Sequence, residues 1–252
     1  MNEEYDIDDK YCYKGTNVLK NKLNITDATI LYNAERDITS VNLAKVRSTP
    51  VKGVLDFEHL RKIHYHIFKD IYSWAGQIRS VNISKGNMFC LYENIDSYGS
   101  YLFEKLRKEN YLTNIDKNFV CDRLSFFMSE INALHPFREG NGRSQRVFMS
   151  YLAKVAGYEL SFDKVTRDEI IQTSNAAFIN GHEEYINMFE KITSPISYEE
   201  RKEFILSIGM ESVIRANKKT IGIMKKEIEC YRSNSIKNNK INSRKLDKDL
   251  ER

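Results

Sequence analysis

The chain has 252 residues, 41% apolar and 12% aromatic, enough to bury a substantial core in one large or two small domains. Its net charge of +4 is too small to mark a nucleic-acid or membrane surface unless it is clustered, and no apolar run is long enough to span a bilayer. Four cysteines, Cys12, Cys90, Cys121 and Cys230, lack CxxC spacing, which favours free thiols over a metal ribbon.

Met1 to Lys10 is acidic rather than basic and then apolar, which argues against a secretory signal and for a cytoplasmic protein. Only three prolines occur, and apolar residues recur at spacings of three and four, so a mainly α fold is expected. Gly15-Thr16-Asn17 signals a turn before a first helix. Thr26-Asp27 caps a second, with Ile30, Leu31, Ala34, Ile38 and Val41 on one face, closed by Pro50 and Gly53. Asp56 caps a third, whose stripe runs through Phe57, Leu60, Ile63, Ile67 and Ile71 to a terminal glycine at Trp74-Ala75-Gly76.

The β-branched residues Ile78, Val81 and Ile83 then lead into a Ser84-Lys85-Gly86-Asn87 turn, with Met88, Phe89 and Leu91 returning, which predicts a short β-hairpin. Its unpaired edge can accept a strand from a partner chain. Helices are expected over Ile95 to Arg107 and Asn118 to Leu134, the second stopped by His135-Pro136. Another runs from about Gly142 to Gly157, and others across Arg167 to Ile179, Glu183 to Ile192 and Tyr198 to Tyr231. The end, 233–252, is rich in Asn, Lys, Arg and Ser and reads as a disordered basic tail, a solubilising end rather than a nucleic-acid contact.

The densest chemistry lies in His135-Pro-Phe-Arg-Glu-Gly-Asn-Gly-Arg-Ser-Gln-Arg146. His135 supplies a base with a near-neutral unperturbed pKa. Glu139 offers the single carboxylate that magnesium needs when phosphate and water complete its shell. Gly140, Asn141 and Gly142 open a helix whose free N–H groups form a phosphate cradle. Arg143 and Arg146, three apart on that helix, can neutralise and orient further phosphates. Pro136 and Phe137 read as architectural, and Arg138 as facing solvent or a target. Competing signatures fail: Gln145 stands where a dinucleotide fingerprint needs glycine, and no GxxxxGK(S/T) occurs. His64-Tyr-His66 has no third metal ligand nearby in sequence.

These twelve residues resemble the Fic motif, HPFx(D/E)GNGRxxR, at every defined position, and Ile71-Tyr-Ser-Trp-Ala-Gly-Gln-Ile-Arg79 with Asn82-Ile-Ser-Lys-Gly86 is similar to that family's approach to its flap hairpin. The resemblance covers roughly residues 17–192. It implies a Fic-type helical bundle with a short β-hairpin flap, and a nucleotidyltransferase that moves AMP from ATP to a Tyr, Thr or Ser hydroxyl of a target protein (AMPylation). ATP and Mg²⁺ are the implied cofactors.

Carried onto this chain, His135 would take the hydroxyl proton and Glu139 would hold magnesium. Gly140, Asn141, Gly142, Arg143 and Arg146 would bind the ATP phosphates. Flap residues Ser84, Lys85, Gly86, Asn87, Met88 and Phe89 would dock the target as an added strand. Gln172 and Asn175 are candidates for the adenine pocket.

The resemblance also implies an inhibitory helix carrying (S/T)xxxE(G/N), whose Glu pairs with the second motif arginine. The matching stretch, Ser212-Val-Ile-Arg-Ala216-Asn217, has Ala216 where Glu is expected, a degenerate motif that predicts no effective autoinhibition. Two rival carboxylates remain: Glu211 in Ser207-Ile-Gly-Met-Glu211-Ser212, and Glu35 in Leu31-Tyr-Asn-Ala-Glu35-Arg36. The expected organisation is a Fic core over 1–193, a C-terminal helical extension over 194–232 and the tail. A protein substrate is the implied partner. Self-modification, a homo-oligomer and a separate antitoxin chain acting in trans stay open, with neither membrane nor nucleic acid expected. The alternatives are a Fic-type transferase of another nucleotide or of phosphate, and a non-catalytic interaction module.

Overall fold

The computed structural model describes residues 9–85 and 87–213. They divide between a unit spanning Met1–Met210 and a second, Glu211–Arg252, described only at residues 211–213. Ala216, Asn217 and the basic tail lie outside the described residues.

No helix forms after Gly15. Gly15 takes φ +72°, the Thr16 hydroxyl bonds the Tyr13 carbonyl at 2.9 Å and receives the Val18 N–H at 3.2 Å, and Cys12 bridges Leu19. A hydroxyl that satisfies nearby backbone groups competes with helix formation, so the segment turns back on itself. Helix α1 (Ala28–Ser48) follows, with the Asp27 carboxylate accepting the Ile30 N–H. Helix α2 (Phe57–Phe68) is capped by Asp56 and stops short of Gly76. Gly76 instead sits in a turn at φ +77°, where an added Cβ would lie 2.9 Å from that of Tyr65.

The flap hairpin consists of β1 (Ser84–Lys85) and β2 (Asn87–Met88), antiparallel with Ser84 opposite Met88. Helix α3 (Ile95–Lys108) precedes α4 (Lys117–Leu134), whose N-cap Asp116 accepts two backbone N–H groups. Helix α5 (Asn141–Ala156) has eleven buried residues among its sixteen, packs on α2 and α4, and is therefore the centre of the bundle. Each Leu, Val, Phe or Met buried there stabilises the fold by roughly 1.5–3 kcal/mol. Gly157, at φ +105°, ends it.

A second two-stranded sheet pairs β3 (Tyr158–Leu160) with β4 (Thr193–Pro195). Between them lie α6 (Arg167–Asn180), opened by a Thr166–Glu169 capping box, and α7 (Ile186–Ile192). Helix α8 (Tyr198–Ile208) packs against α5 and ends at Gly209, which adopts φ +84°. The helix that carries Ser207, expected to run on to Tyr231, therefore stops at Ile208. Among the described residues no helix is long and apolar enough to cross a membrane.

Candidate active site

Helix α4 delivers His135 as its C-terminal residue in the left-handed region, φ 42° and ψ 60°, with its N–H on the Ile131 carbonyl at 3.1 Å. Pro136 disfavours right-handed helix geometry in the residue before it, and a non-glycine residue held here stores on the order of 1–3 kcal/mol of strain. The imidazole Nδ1 lies 3.1 Å from the Asn132 carbonyl oxygen. A carbonyl can only accept, so Nδ1 carries the proton and Nε2 is the acceptor nitrogen. Phe89, just past β2, stacks on the ring at a centroid distance of 3.7 Å and 17°.

The loop from Pro136 to Gly140 is stapled by Asn141, which is buried. Its Oδ1 accepts the Phe137 N–H at 2.9 Å and its Nδ2 donates to the Phe137 carbonyl at 2.7 Å. Gly140, at φ +83°, lies against the Phe68 ring, which an added Cβ would meet at 2.2 Å. The first repeating helix bond of α5 runs from the Ser144 N–H to the Gly140 carbonyl at 3.2 Å. The N–H groups of Asn141, Gly142 and Arg143 therefore precede the helical ladder, at the end where the helix dipole favours an anion.

Glu139 accepts the Gly140 N–H at 2.8 Å and lies 3.3 Å from Arg143. Its backbone carbonyl is held by His64 Nε2 at 2.9 Å, while His64 Nδ1 accepts the Gly76 N–H at 2.8 Å. Both nitrogens of His64 are thus engaged, and burial lowers its pKa to about 3, so the ring is neutral. A His64–His66 metal pair is incompatible with this arrangement. Among the described residues no group of three or more His, Cys, Asp or Glu side chains is arranged to hold a metal.

Arg143 reaches Glu35 on α1 at 2.6 Å and Thr39 Oγ1 at 3.2 Å, with its guanidinium 4.6 Å from the Phe68 ring centre. Burial alone would lower its pKa, but Glu35 and Glu139 outweigh burial and raise it. The Tyr72 hydroxyl donates to the second oxygen of Glu35. Arg146 lies beside Gly142 and faces no carboxylate among the described residues. Burial and the nearby cations Arg143, Arg167 and Arg47 pull it down to about 10. A half-buried cation with other cations nearby can be met by a multivalent anion.

The structure brings together His135, Glu139 to Arg146 and the flap-end residue Phe89. Ser84 and Met88 lie on the hairpin, with Met88 exposed, and Gly86 is outside the described residues. Gln172 and Asn175 lie on an exposed stretch of α6. Arg138, expected at the surface, is 1% exposed: the residue 9–20 segment covers it, and its guanidinium meets the Cys12 thiol at 3.7 Å and the Tyr11 ring. Sequence reading missed Arg79 and the true partners of His64, because their contacts to the loop span 56 and 75 positions and carry no local pattern.

A helical bundle with a hairpin beside a His-to-Arg loop at a helix N-terminus defines the architecture of a Fic domain. A sequence model of the Fic/DOC family matches residues 54–153. The chain is 42% identical over 161 residues to the probable protein adenylyltransferase y4lH of Sinorhizobium fredii, covering 63% of this chain and 82% of that protein. It is 39% identical over 167 residues to the protein adenylyltransferase VbhT of Bartonella schoenbuchensis, covering 66% of this chain but only 35% of that longer protein. Among solved structures it resembles the N-terminal Fic domain of a Bartonella quintana effector with bound ADP, at a TM-score of 0.71 and 28% identity over 79% of this chain and 98% of that one. The chain belongs to the Fic/DOC family.

Proposed function

We propose that the protein is an adenylyltransferase that moves AMP from ATP to a hydroxyl of a protein side chain. The observation that carries this reading is the proximity of an oriented imidazole to a helix N-terminus flanked by Arg143 and Arg146. In the transfer, the hydroxyl oxygen bonds to the α-phosphorus, the bond from that phosphorus to the β-phosphate oxygen breaks, and pyrophosphate leaves. His135 Nε2 takes the hydroxyl proton as the oxygen attacks. The first-turn N–H groups of α5 meet charge building on the transferring phosphoryl, and Arg143 and Arg146 hold the leaving phosphates. The flap aligns the target as an added strand.

Glu139 fits a magnesium ion, since one carboxylate facing a polyphosphate is sufficient protein ligation. Bound there, the ion would neutralise phosphate charge. Asn141 serves the cradle mainly as the staple that shapes it. Gln172 and Asn175 are proposed for the adenine end. The core over 1–193 carries the chemistry, with 194–232 as an extension and 233–252 as a basic tail. Ala216 in place of a glutamate supports transfer without effective autoinhibition, and the protein itself is a candidate substrate. A homo-oligomer and an antitoxin supplied in trans remain compatible with this reading, and a cytoplasmic setting would supply ATP.

The test is incubation with α-labelled ATP and magnesium, with mass spectrometry for added AMP on the protein and on lysate proteins. Label transfer that is lost in His135→Ala is expected. No transfer by the wild type, or equal transfer by the variant, would sink the reading.

A further inference from the structure

Arg79 is 2% exposed, yet it lies just outside the flap and far from the twelve-residue loop in sequence. Its guanidinium bonds three carbonyls from three separate segments: Nε to His135 at 2.8 Å, Nη1 to Val81 at 2.7 Å, and Nη2 to Cys90. Its own N–H donates to the Pro136 carbonyl at 2.9 Å, and the Cys90 N–H donates to the Ala133 carbonyl at 3.0 Å. Val81 and Cys90 are the two feet of the hairpin, and His135 is the base. Only a planar fork with five donors can serve all three acceptors at once.

We propose that Arg79 is a positioning residue for the transfer step, clamping both feet of the flap to the backbone of His135 so that target strand and base move as one body. This deepens the adenylyl-transfer reading and rests on it. Phe89 sits inside the clamped segment and lies flat on the His135 ring, so the clamp also sets how the imidazole is stacked. A flap free to shift by about 1 Å would misalign a docked hydroxyl, and displacements of that size can cost about a hundredfold in rate. Nucleotide binding does not pass through this clamp, because the phosphate cradle is built by α5 and the loop that Asn141 staples.

The test compares full-length wild type with Arg79→Lys, which keeps the charge but not the fork, and with Arg79→Gln. Arg79→Lys is expected to bind a non-hydrolysable ATP analogue with unchanged affinity in the presence of magnesium. Its transfer of label from α-labelled ATP should fall about tenfold or more. Amide exchange should speed up at Val81 to Ser84 and at Met88 to Cys90 while α5 keeps its protection. Wild-type transfer rates in Arg79→Lys would overturn the proposal, as would exchange that rises uniformly through α4 and α5. Should the wild type transfer no label, the adenylyl-transfer reading fails, and the exchange pattern still decides whether the clamp exists.

Discussion

Glu35 meets Arg143, the first motif arginine, at 2.6 Å, and leaves Arg146 to a ring of other cations. A carboxylate that silenced the site by displacing a γ-phosphate would have to pair with Arg146. Glu35 instead fixes Arg143 in place, helped by the Tyr72 hydroxyl and by Thr39. Glu35→Ala should therefore lower AMP transfer, with Glu35→Gln intermediate, and should cost roughly 1–3 kcal/mol of stability because the half-buried guanidinium keeps only the longer contacts to Glu139 and Thr39. Rates of label incorporation and a urea melt check both; a rise in activity on removing the carboxylate would make Glu35 an inhibitor.

Arg146 carries the opposite expectation for stability. Its surroundings of like charge penalise the folded state without nucleotide, so Arg146→Ala should melt no lower than wild type. Adding pyrophosphate should raise the wild-type Tm with the logarithm of ligand over Kd, and should raise that of the variant much less. Thermal melts with and without pyrophosphate distinguish this from a merely structural arginine.

Gly140→Ala should fail for two reasons, the positive φ and the 2.2 Å approach of a Cβ to Phe68. A loss on the order of 3 kcal/mol is expected by urea titration. Shrinking the ring with Phe68→Leu in the same chain should recover only part of it, because the backbone conformation still excludes alanine.

His64 makes stability depend on pH. Its folded pKa, about 3, lies below the unfolded value of 6.5, so the unfolded chain binds the proton first and stability is lost as pH falls below about 6.5. Between pH 6 and pH 4 this one ring contributes a loss of about 2.5 kcal/mol. Chemical denaturation across that window should show it, and His64→Gln should flatten the dependence by about one proton. An unchanged slope would mean that the ring is not held neutral.

The helices were legible where the residues that start and stop them are local: Asp27, Asp56, Pro136 and Gly157 mark boundaries the structure keeps, whereas the helix expected over Tyr198 to Tyr231 stops at Ile208 because Gly209 takes a left-handed conformation. The twelve-residue loop was legible because its chemistry is contiguous. The turn at Gly15 was misread as leading into a helix because the Thr16 hydroxyl decides it. The β3–β4 sheet escaped because three-residue strands show no period. Arg138 was misplaced because nothing near it in sequence announces that the residue 9–20 segment covers it. The clamp of Arg79 and the tether of His64 pair a side chain with backbone carbonyls, which have no residue identity to read.

Helix α1 gives the site Glu35 and Thr39, and places Arg47 among the neighbours of Arg146, although α1 ends before the 54–153 segment that the family model matches. A fragment beginning at residue 54 would keep all twelve loop residues and still lose the carboxylate and hydroxyl that aim Arg143. A fragment that keeps Arg143 aimed must therefore begin before α1, a helix that the recognisable signature does not contain.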